Sequence, residues 1–309
     1  MEGCRGVRWW GWGCRRVPSE VLVYSNDLPD CLPEAKIQLF ADDTTLSVSH
    51  SELNGLAKLG GEIESKAGEW FLANRLTLNQ SKSVALILTL RRDGMNIDPE
   101  EHTRFLGITI DVNLNWKCHI NRITDVLTKN TYAIRNLSCS LSTRVLRSAY
   151  FAMFESHIRY GLMLWGTSSN AYKVFSLQRR CIRVLGGLGY RDCCRGAFRD
   201  LKILTFPCLL IYECLLYAYR LYHSDSAGIG ADVHNYETRN RLDLRPNRYR
   251  LRKSQNSPAY LCFKLFNKLS RTTRNLKLSE FKSKLKSFLL DKCYYSVDEY
   301  MADKILNTM

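Results

Sequence analysis

The chain has 309 residues, of which 45% are hydrophobic, and a formal net charge of +15. This length allows roughly two domains of about 150 residues each, and the apolar share excludes general disorder. The chain has 45 Lys and Arg but only 30 Asp and Glu, which favours a polyanionic partner over no such partner. Nucleic acid is the first candidate for this partner, and an anionic membrane surface is the second.

The twelve cysteines do not indicate a disulfide-stabilised secreted protein. Four of them lie within apolar helical patterns, where a free thiol behaves as a small hydrophobic group: Cys181, Cys208, Cys214 and Cys262. No CxxC spacing occurs, which argues against a zinc site. The N-terminus lacks the apolar run of a signal peptide, and no stretch approaches the ~18 apolar residues of a membrane span. We expect an intracellular protein of the nucleus, the cytoplasm or both, without membrane contact or an obligate protein partner.

The first part of the chain predicts strands around one long helix. Residues 1–20 show neither helical nor strand periodicity and predict an irregular tail. Residues 36–40 and 44–48 predict two strands joined by an acidic turn. Apolar residues from Leu53 to Phe71 recur every three or four positions and predict a helix that ends near Asn74.

A further strand is predicted over residues 83–90, and a second hairpin over residues 104–110 and 112–116, with its turn near Asp111. From about residue 119 the apolar spacing is helical, with Ser142 as a candidate N-cap. The predicted helices lie near residues 120–137, 145–158, 174–185, 207–223, 258–269 and 278–291. Residues 224–260 lose this periodicity and predict a basic linker.

The turn of the first hairpin, Phe40-Ala41-Asp42-Asp43, is the first candidate for chemistry. Side chains alternate along a strand, so two adjacent carboxylates point in different directions. Carboxylates hold the two divalent ions of nucleotidyl transfer about 4 Å apart, and Mg²⁺ is the expected ion. By itself, however, an Asp-Asp pair is more often a solvated turn than a metal site.

Several motifs surround this pair in a fixed order. The sequence YSNDLP (residues 24–29) precedes it; NRLTLNQSK (74–82), FLGITID (105–111), Leu114-Asn115-Trp116 and His119-Ile120 follow. In this order the motifs resemble those of the reverse transcriptases of jockey-like non-LTR retrotransposons. Further along, residues 177–183 resemble a thumb helix, and residues 234–239 and 266–286 a C-terminal extension of that family. The resemblance covers about residues 20–300.

The resemblance implies an α+β fold. A partial antiparallel polymerase palm is expected over residues 21–117, a helical thumb over 118–223, and a basic linker with C-terminal helices over 224–309. It implies an RNA-directed DNA polymerase that acts on an RNA template, a DNA primer and dNTPs by a two-metal mechanism, with two Mg²⁺ ions, or Mn²⁺ in their place.

The resemblance also implies roles for individual residues. Asp42 and Asp43 match the metal-binding catalytic pair of the palm. Lys82 matches a catalytic position beside the pyrophosphate, although a surface lysine explains it equally well. Phe105, Leu106 and Gly107 match the primer grip, where Gly107 would allow close backbone approach.

The family pattern is incomplete on the N-terminal side. A complete reverse transcriptase has a third palm aspartate on an earlier strand, but only Asp27 and Asp30 precede Asp42, and Asp27 already matches the NDLP motif. We therefore expect a chain truncated at the 5′ side, with an open sheet edge where that strand is missing. The alternative to an active enzyme is a catalytically dead remnant that binds nucleic acid. An unrelated helical adaptor would leave the ordered motifs unexplained.

Basic side chains supply the predicted nucleic-acid contacts. Residues 239–253 contain seven Arg or Lys and one acid, Asp243. From this stretch we assign Arg245, Arg248 and Arg250 to phosphate contacts, with a solvated loop as the alternative. Arg179, Arg180 and Arg183 lie opposite the apolar stripe of their helix and would face the template–primer. The basic residues of 264–292 lie mostly on outer helix faces, which favours a solvated surface.

Overall fold

The computed structural model describes residues 4–11, for which only the backbone is considered, and residues 26–40, 43–76, 83–88, 102–224, 242–245 and 257–303. The chain forms two compact units, Met1–Cys118 and His119–Met309.

The first unit contains a four-stranded antiparallel sheet. Its strands follow the order β2-β3-β1-β4: β1 is Cys4–Gly11, β2 is Lys36–Phe40, β3 is Asp43–His50 and β4 is Val84–Leu88. Two helices, α1 (Leu28–Cys31) and α2 (Leu53–Ala73), pack on one face of the sheet. The core between them contains Leu28, Leu32, Leu46, Ile63, Ala67, Trp70 and Phe71. The first hairpin, the long helix and the following strand of the sequence prediction are confirmed.

The prediction of an irregular tail over residues 1–20 is wrong for residues 4–11. β1 pairs with β3 from Cys4–His50 to Gly11–Asp43, and its other edge pairs with β4. Backbone hydrogen bonds to a neighbour on each side hold this strand in the sheet. The strand therefore forms without the alternation of apolar and polar residues by which a half-buried strand is recognised in a sequence. In the described sheet, β1 pairs with the edge of β3 that β2 leaves open, and the absence of a palm strand with its open edge stays a prediction.

The second hairpin has its turn five residues earlier than predicted. Its strands are β5 (His102–Phe105) and β6 (Ile108–Asp111). Leu106 and Gly107 form the turn with φ of 43° and 80°. Two consecutive residues with positive φ are typical of a type I′ turn, whose usual sequence is Asn-Gly. A leucine in the first position hides that signal in the sequence.

Asp111 connects this hairpin to the helix α3 (Lys117–Leu137). Its buried carboxylate accepts the backbone N–H of Asn115 at 2.8 Å and of Trp116 at 2.7 Å. The N–H of Leu114 bonds to the Asp111 carbonyl at 2.9 Å. These bonds fold residues 112–116 into a tight connection, so the strand predicted there does not form. A carboxylate just before a helix also interacts favourably with the helix dipole.

The described residues of the second unit are mainly helical. After α3 come α4 (Thr143–Tyr150), a π-helical segment (Phe151–Glu155), α5 (Ser156–Arg159), α6 (Leu162–Trp165), α7 (Tyr172–Leu185), α8 (Arg195–Asp200), α9 (Phe206–Tyr222), α10 (Pro258–Phe266), α11 (Arg271–Arg274), α12 (Leu278–Lys292) and α13 (Val297–Ala302). The longer helices agree with the predicted ones. The short helices were not predicted, because one or two turns carry too little apolar periodicity. The assignment of the units to palm and thumb stays a prediction.

The helix α9 forms the centre of the second unit, and eleven of its residues are buried. The cysteines placed in apolar helical patterns by the sequence are all buried: Cys181, Cys208, Cys214 and Cys262. In the ranges that the structure describes, the helices are too short or too polar to span a membrane.

One buried glutamine, Gln178 of α7, links three segments of this unit. Its amide nitrogen donates to the Tyr150 hydroxyl at 2.8 Å and to the Leu204 carbonyl at 3.0 Å, and its amide oxygen accepts the N–H of Phe206 at 2.7 Å. The side chain thereby joins α4, α7 and the connection between α8 and α9.

His119, part of the His-Ile motif, lies in the core. Its ring meets that of Trp165 edge-on, with centroids 5.8 Å apart. Burial, together with the positive charge of the nearby Arg122, lowers the pKa of His119 to about 4. The imidazole is therefore neutral in the folded protein at neutral pH.

Exchanging a helical glycine for alanine should stabilise the first unit. Gly61 lies within α2, and a Cβ added there meets nothing within 4 Å. We expect Gly61→Ala to raise the free energy of unfolding in urea by about 0.5–1 kcal/mol. Gly187 has equally open space but a φ of +62°, so Gly187→Ala should lower it by about 1 kcal/mol. Equal effects of both substitutions would contradict this explanation.

Removing the Asp111 carboxylate should weaken the connection to α3. Asp111→Ala leaves two backbone N–H groups without their acceptor and should cost about 1–3 kcal/mol of unfolding free energy. Asp111→Asn retains one acceptor oxygen and should cost less. Asp125→Ala, at an exposed site on the same helix, is the control and should change the urea midpoint little.

The burial of His119 predicts a loss of stability in acid. The folded pKa of about 4 lies below the ordinary 6.5, so the unfolded chain binds the proton more readily. The stabilisation is complete above about pH 6.5 and is lost as the pH falls towards 4, by about 1–3 kcal/mol. His119→Gln should remove this part of the pH dependence of unfolding, whereas His157→Gln, at an exposed position, should retain it. Identical pH profiles for the two variants would disprove the assignment.

Candidate active site

Asp43 begins β3 on the side of the sheet opposite to α1 and α2. Leu46 and Val48 of the same strand pack into the core beneath these helices. Since side chains alternate along a strand, Asp43 belongs to the other face. Phe40, its partner in the hairpin register, shares that face and is 63% exposed. The hairpin therefore presents one carboxylate next to an exposed aromatic ring.

The neighbouring strand does not add a carboxylate to this face. Gly11 of β1 is the register partner of Asp43, and the sequence of β1, CRGVRWWG, contains neither Asp nor Glu. Among the described residues, which do not include Asp42, no three His, Cys, Asp or Glu side chains are grouped so that they could hold a metal ion. A two-metal centre requires several carboxylates. The described residues supply one member of the predicted pair, Asp43, and the Mg²⁺ site stays a prediction.

Four of the predicted site residues lie outside the described ranges: Asp42, Lys82, Arg248 and Arg250. Their roles stay predictions.

The predicted primer grip forms the tip of the second hairpin. Phe105 pairs with Ile108 as the last pair before the turn, and Leu106 and Gly107 form the turn itself. All three residues of the predicted grip are half-buried. The use of Gly107 is conformational, since its φ of 80° suits a residue without a Cβ. A leucine with a φ of 43° in the same turn is a strained arrangement.

The three predicted arginines of α7 have different environments. Arg180 is exposed, whereas Arg179 and Arg183 are half-buried. The Arg179 guanidinium lies 5.0 Å from the centroid of the Phe175 ring, and Arg183 donates from Nε to the Asp192 carbonyl at 3.1 Å. Two of the three side chains therefore have structural contacts, and Arg180 is the one that extends most into solvent.

Arg245, which is exposed, belongs to a short segment that is fixed to the C-terminal helices. The side chain of Asn267 accepts the N–H of Leu244 at 3.0 Å and donates to its carbonyl at 2.7 Å. The buried Arg274 donates to the Asp243 carboxylate at 2.7 Å. The single acid of the basic segment is therefore a structural anchor. Its isolation among seven cations was the signal in the sequence that could have indicated this role.

Comparison with known proteins gives one informative similarity. No family model matches the chain, and no solved structure matches it. The probable RNA-directed DNA polymerase from transposon BS of Drosophila melanogaster is 24% identical over 187 residues, which cover 56% of this chain and 21% of that protein. The match spans about a fifth of that relative's length. The similarity supports a relationship to the RNA-directed DNA polymerases of transposons.

Proposed function

We propose that this chain is part of the reverse transcriptase of a jockey-like non-LTR retrotransposon and that, by itself, it binds nucleic acid without polymerising efficiently. The ordered motifs and the similarity to a transposon polymerase support the relationship. The proposal that the chain does not polymerise efficiently rests on the absence of a carboxylate from β1, the strand beside Asp43.

The missing carboxylate matters because of its position. Residues paired across antiparallel strands project to the same face, with Cβ atoms about 4.5–5.5 Å apart. A carboxylate at position 11 would therefore share a divalent ion with Asp43, but this position is a glycine. With Asp43 and the predicted Asp42 alone, the site holds too little negative charge for two divalent cations.

Nucleic-acid binding rests on the charge of the chain. The net charge of +15 favours phosphate contacts that carry no sequence information. Of the predicted contact residues, Arg180 and Arg245 are exposed and in a position to make them.

The second candidate function is an active RNA-directed DNA polymerase. In that case Asp42, Asp43 and Lys82 have the roles that the resemblance implies. The presence of both aspartates in the hairpin sequence favours it.

Restoring a carboxylate on β1 should restore metal affinity. We expect Gly11→Asp to bind Mn²⁺ roughly tenfold more tightly than the unchanged chain, because it adds a charged oxygen ligand opposite Asp43. Gly11→Asn has nearly the same shape without the charge and should not. Electron paramagnetic resonance of free Mn²⁺ measures the binding, and primer extension on an RNA template with Mg²⁺ measures polymerisation.

The unchanged chain should incorporate no dNTP above background in that assay. If the unchanged chain incorporates dNTPs and Asp42→Ala does not, the proposal of an inactive chain is contradicted and the chain is an active polymerase. Equal Mn²⁺ affinity of the Asp and Asn variants would show that position 11 does not face the metal site.

A further inference from the structure

A cleft in the second unit combines positive charge with hydroxyl groups. It has a volume of about 450 Å³ and lies between the end of α8 and one face of α12. Its lining residues are Arg199, Lys202, Ser283, Lys286, Ser287, Leu290 and Asp291. The sequence indicated a solvated helix face for the α12 wall, and the two walls are about 80 residues apart in the chain.

The α12 wall is a regular stripe along the helix. Counted from Ser283, its residues lie three, four, seven and eight positions further along the helix, so they share one face. The opposite face is buried in the core through Phe281, Leu285 and Leu289. The buried face fixes the rotation of α12 about its axis. The hydroxyl groups of the two serines and the ammonium group of Lys286 therefore stay on the side of the cleft.

The α8 wall is attached to α12 directly. Arg199, which lines the cleft, donates from Nε to the carbonyl of Asp291 at 2.7 Å and also interacts with the Cys293 thiol. Next to this junction, Thr205 donates to the carbonyl of Tyr294 at 2.6 Å. These bonds set the distance between the two walls before any ligand arrives.

Lys202 has an unusual backbone for a lysine. Its φ is 52°, and it ends α8 with two bonds: its own N–H to the Arg199 carbonyl and the N–H of Ile203 to the Phe198 carbonyl, both at 2.9 Å. Glycine is the residue that normally occupies this position, because it has no Cβ to strain. In this chain a lysine has this conformation at the rim of the cleft.

The chemistry of the lining selects one class of ligand. Three cations face one carboxylate, so the cleft attracts anions. Arg, Lys and Ser side chains are the usual donors to phosphate oxygens in nucleic-acid complexes. Among the residues that the structure describes, no aromatic ring lines the cleft, and these residues offer no surface on which a base could stack.

We propose that this cleft binds the phosphodiester backbone of a nucleic-acid strand, without base recognition, through Arg199, Lys202, Lys286 and the two serines. The inference deepens the proposed function by adding a contact surface separate from the polymerase hairpins.

The test compares two cleft variants with a control of equal charge. Lys202→Gly removes a cation and at the same time relieves the backbone, so its urea midpoint should be unchanged or higher. Lys286→Ala removes a cation from the other wall. Lys284→Ala, on the same helix, removes a cation that pairs with Glu280 at 3.0 Å and does not line the cleft.

Binding of fluorescent oligo(dT) and oligo(rU) is measured by anisotropy on the full chain between about 50 and 200 mM KCl. Each cleft variant should weaken binding about fivefold. Each should also reduce the slope of log affinity against log salt by about 0.7, the value for one phosphate contact to a single strand. Lys284→Ala should change neither quantity by a comparable amount. Both oligonucleotides should be affected alike, because the bases are not contacted.

Three results would overturn the proposal. Equal losses in the cleft variants and in Lys284→Ala would show that only total charge matters. An effect on one oligonucleotide alone would show base recognition. Loss of binding to phosphatidylserine vesicles, with oligonucleotide binding unchanged, would assign the cleft to a membrane surface. If the unchanged chain binds neither oligonucleotide, the proposed function fails together with the cleft. If it binds both, and the cleft variants bind them with the same affinity and salt slope, only the cleft assignment fails.

Discussion

Gln178 sets the arrangement of the second unit. Its amide group is fully buried. The amide nitrogen donates to the Tyr150 hydroxyl and the Leu204 carbonyl, and the amide oxygen accepts the Phe206 N–H. A buried amide without partners costs about 1–3 kcal/mol, so any packing that separates these partners is disfavoured. Apolar contacts between helices tolerate sliding, whereas a completely bonded polar group selects one register. The sequence suggested a thumb helix around this residue but gave the glutamine no role of its own.

The same buried bonds fix the connection that carries Lys202. Gln178 holds residues 204 and 206, and Thr205 between them bonds to the carbonyl of Tyr294 just after α12. The end of α8 and the end of α12 therefore have a fixed separation. A cleft whose walls are positioned before binding loses little conformational entropy when a ligand orders it. This is the physical reason to expect a binding surface there, although its charged side chains are exposed.

The sequence predicted long elements well and short or strained ones poorly. The helix from Leu53 to Ala73 and the hairpin around Asp43 follow from periodicity alone. β1 was missed because its position depends on partners more than 30 residues away, and the turn at Leu106 was missed because leucine rarely has a positive φ. For the site, the sequence predicted the strand pair that carries Asp43, and the structure contains that pair. It did not reveal that the paired position on β1 is a glycine, since register is set by the folded sheet.

The residues that carry the resemblance divide into two groups by what they contact. Asp111, His119 and Gln178 are buried, and each holds part of the fold through hydrogen bonds or ring packing. A chain needs them in order to fold, whether or not it polymerises. Asp43 lies on the face opposite the core, and its role in chemistry stays a prediction. Similarity at such buried positions is therefore related to the fold. It is equally compatible with an active and an inactive chain. The distinction rests on the few positions beside Asp43, where the strand that pairs with it presents a glycine.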